Sequence, residues 1–431
     1  YNQNKIRKLL VVAPKGTYMN WVESEIPTHV PDYIEKKVLA WSPLMTAKNK
    51  SKLDDMTKPD YEFRIMVMNV EAFSTKKGND FAKLFLIGRS MLIIDESTTI
   101  KNPQAKRTKH ILSLSKEATY RRILTGSPVT QSPMDLWSQM DFLDPEILDQ
   151  TSFYAFRTRY AVMISSTAAG GTHKYQKIVK FKNLKELGEK VAPHSYRILK
   201  KDCLDLPDKV FQKRIVELTD EQTKAYEMMR RNAIAILNGE AMSAPNVLTQ
   251  LIRLHQIVCG HMKTDEGNMI ELKSNRINEL MNILDETSGK VIIWANYIND
   301  IKAIEKEIQK EYGFDSCCTY FGETKTEDRQ ICINKFQDPN SSIRFFIGNT
   351  QTGGYGITLT EASTVIYYSN NYDLEKRMQS EDRAHRIGQK NKVNYIDLVA
   401  PKTVDEKIIK ALRNKVNIAK EISGEELSEW I

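Results

Sequence analysis

"LIIDESTTIKN", residues 92 to 102, decides how this chain is read. It opens as an apolar run of the kind that forms a strand covered on both faces, and it stops abruptly at two adjacent carboxylates, Asp95 and Glu96. In an open parallel sheet, ligands bind beyond the carboxyl ends of the strands. An acidic pair at such an end faces a nucleotide crevice: Asp95 is suited to hold Mg²⁺, directly or through water, and Glu96 to aim and deprotonate an attacking water. The bland alternative is a strand-end turn with two solvated acids, and for the pair alone that reading is the commoner one.

Working outward, the same pattern recurs on either side: LLVVA (9 to 13), RIMVMNV (64 to 70) and RILTG (122 to 126). A second set follows, with VIIWA (291 to 295), CCTYF (317 to 321), RFFIGNT (344 to 350), TVIYYS (364 to 369) and VNYIDLVA (393 to 400). Apolar runs alternating with helical stretches predict an α/β protein with parallel sheets flanked by helices, in two lobes. Between them the strand signal fades and charged helices dominate, such as TDEQTKAYEMMRRNAIAIL (219 to 237), which opens with a capping box from Thr219 to Gln222. The expected organisation is a first lobe over 1–150, a helical bridge over 151–270 and a second lobe over 271–431. SSTAAGGTHK (165 to 174) reads as a surface excursion within the bridge.

Composition sets the outer limits. The 431 residues are 41% hydrophobic and 27% charged, ordinary for a globular protein with sizeable cores. Lys and Arg exceed Asp and Glu by 63 to 55, a net +8 that permits a polyanionic partner without requiring one. The 5 cysteines (Cys203, Cys259, Cys317, Cys318, Cys332) are odd in number and form no CxxC pair, which suits free thiols in a reducing compartment better than a disulfide framework. Cys259, His255 and His261 cluster in sequence, but without a fourth ligand at a sensible spacing core packing is the preferred reading over zinc. No apolar run reaches membrane-spanning length, and YNQNKIRK is not a signal peptide. A buried-strand pattern within the first dozen residues suggests a fragment. Trp21, Trp137 and Trp294 read as core residues rather than stacking platforms.

Three further motifs keep Asp95 and Glu96 company. LTGSPV (124 to 129) ends a strand in small hydroxylated residues, so that Thr125, Gly126 and Ser127 can sense the neighbouring strand. NTQTGGYGITLT (349 to 360) carries glycines where backbone can approach a ligand closely. QSEDRAHRIGQ (379 to 389) sets Arg383 and Arg386 three residues apart, a helical spacing that lets both guanidinium groups point one way, as suits the charge on a transferring γ-phosphoryl group.

The series APKGTYMNW, MNVEAF, LIIDEST, LTGSP, VIIWANY, NTQTGGYGITLT and QSEDRAHRIGQ resembles the superfamily 2 helicase-type ATPases, specifically their Swi/Snf-like branch of double-strand DNA translocases. HSYRILKKDCLDLPDKV with VELTDEQTKAY, and LIRLHQIVCG after it, resemble the linker of that branch, and the likeness covers nearly the whole chain. The resemblance implies two RecA-like lobes and Mg·ATP handled by Asp95 and Glu96. It implies coupling through Thr125, Gly126 and Ser127, arginine fingers at Arg383 and Arg386, and Gly354, Gly356 and Gln379 on the ATP side. Pro14, Lys15, Asn69, Lys101, Asn102 and Thr350 match positions that face the DNA track, whose amides, hydroxyls and lysines grip phosphates without reading bases. Double-stranded DNA, bound independently of sequence by a monomeric motor, is the implied partner, in a bacterial or phage-infected cytoplasm before a nucleus, and no membrane.

The chain departs from the pattern in three places. Thr98 stands where the family usually has His, Thr358 where Asn is common, and no G-x-x-x-x-G-K-[ST] loop is present: Lys290, in the one Gly-Lys pair, is followed by Val291, and Leu284 occupies the first glycine's place. The family carries that loop upstream of the LLVVA strand, so this fragment by itself is expected to hydrolyse ATP poorly. Two rival functions stay open: a strand-separating or branch-migrating helicase of the same superfamily, and a non-catalytic DNA-binding module.

Overall fold

In the computed structural model every one of those apolar runs is a strand of a parallel sheet. Residues 5–44, 46–58, 62–167, 174–198, 203–239, 244–263, 268–353 and 356–423 are described. Contacts divide the chain into two compact units, one mainly residues 1–162 and 180–196, the other mainly 163–179 and 197–417. No described helix is long and apolar enough to cross a membrane.

The first unit holds β1 (Lys8–Ala13), β2 (Lys36–Ala40), β3 (Phe63–Asn69), β4 (Ser90–Asp95) and β5 (Tyr120–Leu124), all parallel in the order β2-β3-β1-β4-β5. Strand side chains alternate between faces, so β1 and β3 feed two cores at once. Leu10, Val12, Met66 and Met68 pack with Phe73, Phe85 and Ile111 on one face, and Val11, Ile65 and Val67 pack with Ile26 and Trp21 on the other. Burial on both faces is why these runs read as continuous apolar stretches. The register pairs Ala13 with Asn69 and Asp95 with Leu124, which collects the polar strand ends along one edge.

The chain then forms a small two-stranded sheet of β6 (Ala161–Thr167) and β7 (Lys174–Phe181), before β8 (Lys209–Ile215). A short antiparallel pair follows, β9 (His261–Lys263) with β10 (Met269–Glu271). The second large sheet adds β11 (Lys290–Trp294), β12 (Cys317–Tyr320), β13 (Phe345–Gly348), β14 (Ala362–Tyr367) and β15 (Val393–Val399), parallel in the order β12-β13-β11-β14-β15-β8. Trp294, fully buried, lies across β13: a Cβ on Gly353 would come within 2.6 Å of its ring, so the chain can turn there only as glycine.

Two expectations are corrected. The region 151–270 is not a purely helical bridge: besides helices Phe153–Tyr160, Leu184–Val191, Asp220–Gly239 and Ala244–Cys259 it contains β6 and β7, and β8 belongs to the second sheet, paired along its length with β15. As an edge strand β8 mixes Val210, Phe211 and Ile215 with Lys, Gln and Arg in no regular alternation, so its composition hid it among charged helices. The capping box did form, with Gln222 donating its amide to Thr219 Oγ1 at 3.2 Å and Gln222 Oε1 accepting from the Thr219 amide at 3.2 Å. Of SSTAAGGTHK, residues 168–173 lie outside the described residues. Finally, the cysteines are not all free: Cys318 on β12 and Cys332 on helix Thr326–Gln337 are joined in a disulfide, two positions that no sequence spacing pairs but that the fold stacks.

Candidate functional site

Asp95 is the last residue of β4 and Glu96 the first beyond it, in the left-handed region at φ 48° and ψ 62°. A non-glycine residue there is strained, and the turn takes the chain out of the strand into the short helical turn Ser97–Ile100. Asp95 is held at both oxygens: Trp21 donates its indole N–H to Oδ2 at 2.9 Å, and the Glu96 amide donates to Oδ1 at 3.0 Å. Burial pushes the Asp95 carboxyl above its ordinary range, and nearby Glu25 adds to the push, against the lowering effect of those two donors.

The next residue ties the acidic turn to the TGSP segment. Ser97, fully buried, donates to Gln139 Oε1 at 2.6 Å, and the Gln139 amide donates to the Pro128 carbonyl at 2.8 Å and the Asp135 carbonyl at 2.7 Å. Thr98, at the position where the sequence departs from the family, is 3% exposed. Ser127 donates its amide to Thr125 Oγ1 at 3.1 Å and its hydroxyl to the Val129 carbonyl at 3.2 Å, while Gly126 is open around its Cα. Gln139 is thus a bridging residue that sequence reading missed: a lone glutamine in an apolar helix, LWSQMDFL, was its only signal.

In the second unit the glycine and arginine motifs are laced together. Gln389, buried, donates to the carbonyls of Thr360 at 2.9 Å and Ala362 at 2.8 Å, and the Leu359 amide donates to the Arg383 carbonyl at 2.9 Å. The expected helical pairing of the two arginines is corrected. Helix Leu374–Glu381 ends before them, and Arg383 turns back, donating Nε to the Gln379 carbonyl at 2.9 Å and Nη1 to the Ile357 carbonyl at 3.0 Å. Arg386 lies in the following turn and is exposed. Gly388, at φ 102°, lies in the turn that leads on toward β15. Gly356 is exposed at φ 71°, and Gly354 lies outside the described residues.

The SNF2-related domain profile matches residues 1–263 and the helicase conserved C-terminal domain profile residues 273–388. The chain belongs to the SNF2-related family. It is 26% identical to the SWI/SNF chromatin-remodeling complex subunit snf22 of Schizosaccharomyces pombe, over 96% of this chain and 25% of that protein. It is also 26% identical to the putative ATP-dependent helicase/translocase YwqA of Bacillus subtilis, over 98% of this chain and 44% of that protein. A solved SWI2/SNF2 ATPase core of Sulfolobus solfataricus in complex with double-stranded DNA is 27% identical, covering 98% of this chain and 83% of that one, at a TM-score of 0.42. The chain therefore spans about a quarter of the first curated relative and under half of the second.

Within this SNF2-related chain the donor set at Asp95 fits a hard divalent cation: a half-buried carboxylate whose two oxygens are each oriented by one N–H donor and each retain a lone pair. Among the described residues no three His, Cys, Asp or Glu side chains gather as a metal site. His255 instead meets the Tyr297 hydroxyl at 2.9 Å and Asp405 at 3.3 Å, and His261 meets Asp300 at 3.1 Å.

The six residues expected on the DNA track divide by exposure. Lys15 and Asn102 are exposed, and Asn102 Oδ1 accepts the Gln104 amide at 2.9 Å. Asn69 donates to Glu71 at 3.0 Å and Lys101 to Thr130 Oγ1 at 2.9 Å. Pro14 and Thr350 are buried. Helix Leu374–Glu381, which carries Gln379, is set by another group the sequence did not announce. Arg377 donates to Asp397 Oδ2 at 3.1 Å, Glu381 Oε1 at 2.9 Å and Asn370 Oδ1 at 2.7 Å, and Lys209 of β8 donates to Glu381 Oε2 at 3.0 Å. Trp137 and Trp294 are core, as expected, and Trp21 packs against the face of Val11, Ile65 and Val67 while its indole also donates to Asp95.

Proposed function

We propose that this chain is the motor of an ATP-driven translocase on double-stranded DNA, acting as a monomer. The observation that carries the reading is the acidic turn at Asp95 and Glu96, set beyond the carboxyl edge of a parallel sheet in a chain that belongs to the SNF2-related family. Asp95 would hold a Mg²⁺ ion, and Glu96 takes a proton from the attacking water. Bound Mg²⁺ would neutralise charge on the phosphates. Arg386 supplies the compensating positive charge at the γ-phosphate, and Arg383, committed to backbone carbonyls in this state, joins it when the Ile357 segment rearranges.

Exposed Lys15 and Asn102 grip backbone phosphates, a mode of contact that carries no sequence information. The test uses the full-length gene product. Duplex DNA is expected to stimulate its ATP hydrolysis, and Glu96→Gln to remove about 10²-fold or more of kcat with duplex binding intact, the usual scale for a lost general base. Third-strand displacement from a triplex without melting of a forked duplex supports the translocase. Melting of the fork would replace it with a strand-separating helicase, and an inert nucleotide site with intact DNA binding would leave a non-catalytic module.

A further inference from the structure

The structure assigns Trp21 a role beyond packing. We propose that its indole N–H is the positioning element that links the phosphate-gripping loop at Pro14 and Lys15 to the metal-binding carboxylate of Asp95. This rests on the reading under Proposed function and deepens it: DNA held by the loop would set the geometry in which Asp95 receives Mg·ATP.

Three observations carry it. The first is the direct bond, Trp21 Nε1 to Asp95 Oδ2 at 2.9 Å, between residues 74 apart in sequence. With the Glu96 amide on Oδ1 it fixes the carboxylate plane, leaving lone pairs on both oxygens. The second is the stiffness of the connection upstream. The Pro14 carbonyl accepts from the Thr17 amide at 2.9 Å, the Tyr18 amide at 3.0 Å and the Thr17 hydroxyl at 3.3 Å, so the loop carrying exposed Lys15 is tied directly to the start of the helical segment. The third is the shape of that segment. Between the short helices Tyr18–Asn20 and Ile26–His29, residues Trp21–Glu25 form a wider π turn, with the Ile26 amide as C-cap donor to the Trp21 carbonyl. Ile26 is 3% exposed and packs with Val11, Ile65 and Val67, which pins the segment to the sheet and rests the Trp21 ring on the same apolar face. Widened turns of this kind recur at functional sites, where they re-aim one side chain. Groups that orient a ligating carboxylate commonly change metal affinity tenfold or more when removed.

A merely structural tryptophan would alter stability and leave the metal requirement alone, so the test measures that requirement without turnover. Binding of a fluorescent non-hydrolysable ATP analogue to the full-length gene product is titrated with Mg²⁺, with and without a duplex oligonucleotide, for the native protein and Trp21→Phe. In the native protein, duplex is expected to lower the half-saturating Mg²⁺ concentration. In Trp21→Phe that concentration should rise about tenfold, the effect of duplex on it should vanish, and affinity for the duplex by anisotropy should be unchanged. Should phenylalanine unfold the protein, the benzothienyl isostere at position 21, which swaps the N–H for sulfur at nearly constant shape, is held to the same outcomes. A variant with the native Mg²⁺ requirement and the native duplex effect overturns the role of Trp21 while the ATPase reading stands. A native protein that binds no nucleotide at any Mg²⁺ concentration overturns the ATPase reading, and this inference with it.

Discussion

Arg276 is fully buried, and its guanidinium meets Asp405 and the Tyr368 carbonyl deep in the second unit. Burial alone would raise the Asp405 carboxyl, but the facing guanidinium, with His255 at 3.3 Å, outweighs it and holds the group well below the usual carboxylate range. A carboxyl depressed in the folded state stabilises the fold above its unfolded pKa, near 4, and the contribution is lost as pH falls through the lower folded value. Denaturant midpoints of the native protein are therefore expected to fall as pH drops below about 4. Asp405→Asn, which leaves the guanidinium without its counter-ion, is expected to cost about 3–5 kcal/mol at neutral pH and to flatten that acid limb. A second residue-level expectation concerns Gln139. Gln139→Leu strands the buried Ser97 hydroxyl and the Pro128 carbonyl, and is expected to lower stability by about 1–3 kcal/mol by urea melts and to reduce the stimulation of ATPase by DNA. Neither pair was legible in the sequence. Asp95, Glu96 and the TGSP turn were, because a charge or hydroxyl at the end of an apolar run contradicts its local composition. Gln139, Trp21 and Arg377 act through Ser97, Asp95 and Asp397, which lie 42, 74 and 20 positions away in the chain, and only folding brings those together.

At the level of elements, the strands with both faces buried were readable from composition alone, whereas β2 and β8 were not. Both lie at sheet edges, where half-exposed lysines replace the apolar signal. The same contrast explains helix Thr326–Gln337, whose TEDRQICINKFQ sequence lacks an apolar stripe and which buries only Cys332 and Phe336 of the side chains described on it. With few buried anchors, the Cys318–Cys332 bond is a covalent tether of the helix to β12, beside Arg329, which donates to the Phe321 carbonyl at 3.0 Å. Closing a loop of this length, 14 positions apart, restricts the unfolded chain by about 3 kcal/mol. Cys332→Ser, or treatment with a dithiol reductant, is expected to lower the denaturation midpoint of the second unit accordingly and to raise amide exchange along 326–337 before the rest of its sheet. Equal protection in reduced and oxidised protein would show that Phe336, with Lys290 donating to its carbonyl at 2.7 Å, suffices to hold the helix.

For the molecule as a whole, a net +8 spread over 431 residues is too dilute to steer DNA by itself, so affinity has to come from a few placed cations. Some basic side chains are occupied inside the protein: Arg107 bonds the Thr99 carbonyl at 3.1 Å, Arg121 the Ser115 carbonyl at 3.3 Å and Lys101 the Thr130 hydroxyl at 2.9 Å. Lys15, exposed at the end of β1, is of the other kind. Each phosphate neutralised by a cation releases condensed counterions and contributes about −0.9 to the slope of log K against log salt concentration. Lys15→Ala is therefore expected to make that slope about one unit shallower, and to do so equally on duplexes of unrelated sequence, because a phosphate contact carries no base information. Arg386→Ala is expected to leave the slope unchanged while lowering ATPase kcat by about 10³-fold, the scale of a lost arginine finger. Anisotropy titrations at several salt concentrations, run beside ATPase assays on the same variants of the full-length gene product, separate the two roles. A native slope for Lys15→Ala would remove that lysine from the DNA track, and a shallower slope for Arg386→Ala would place that arginine on DNA rather than on the nucleotide.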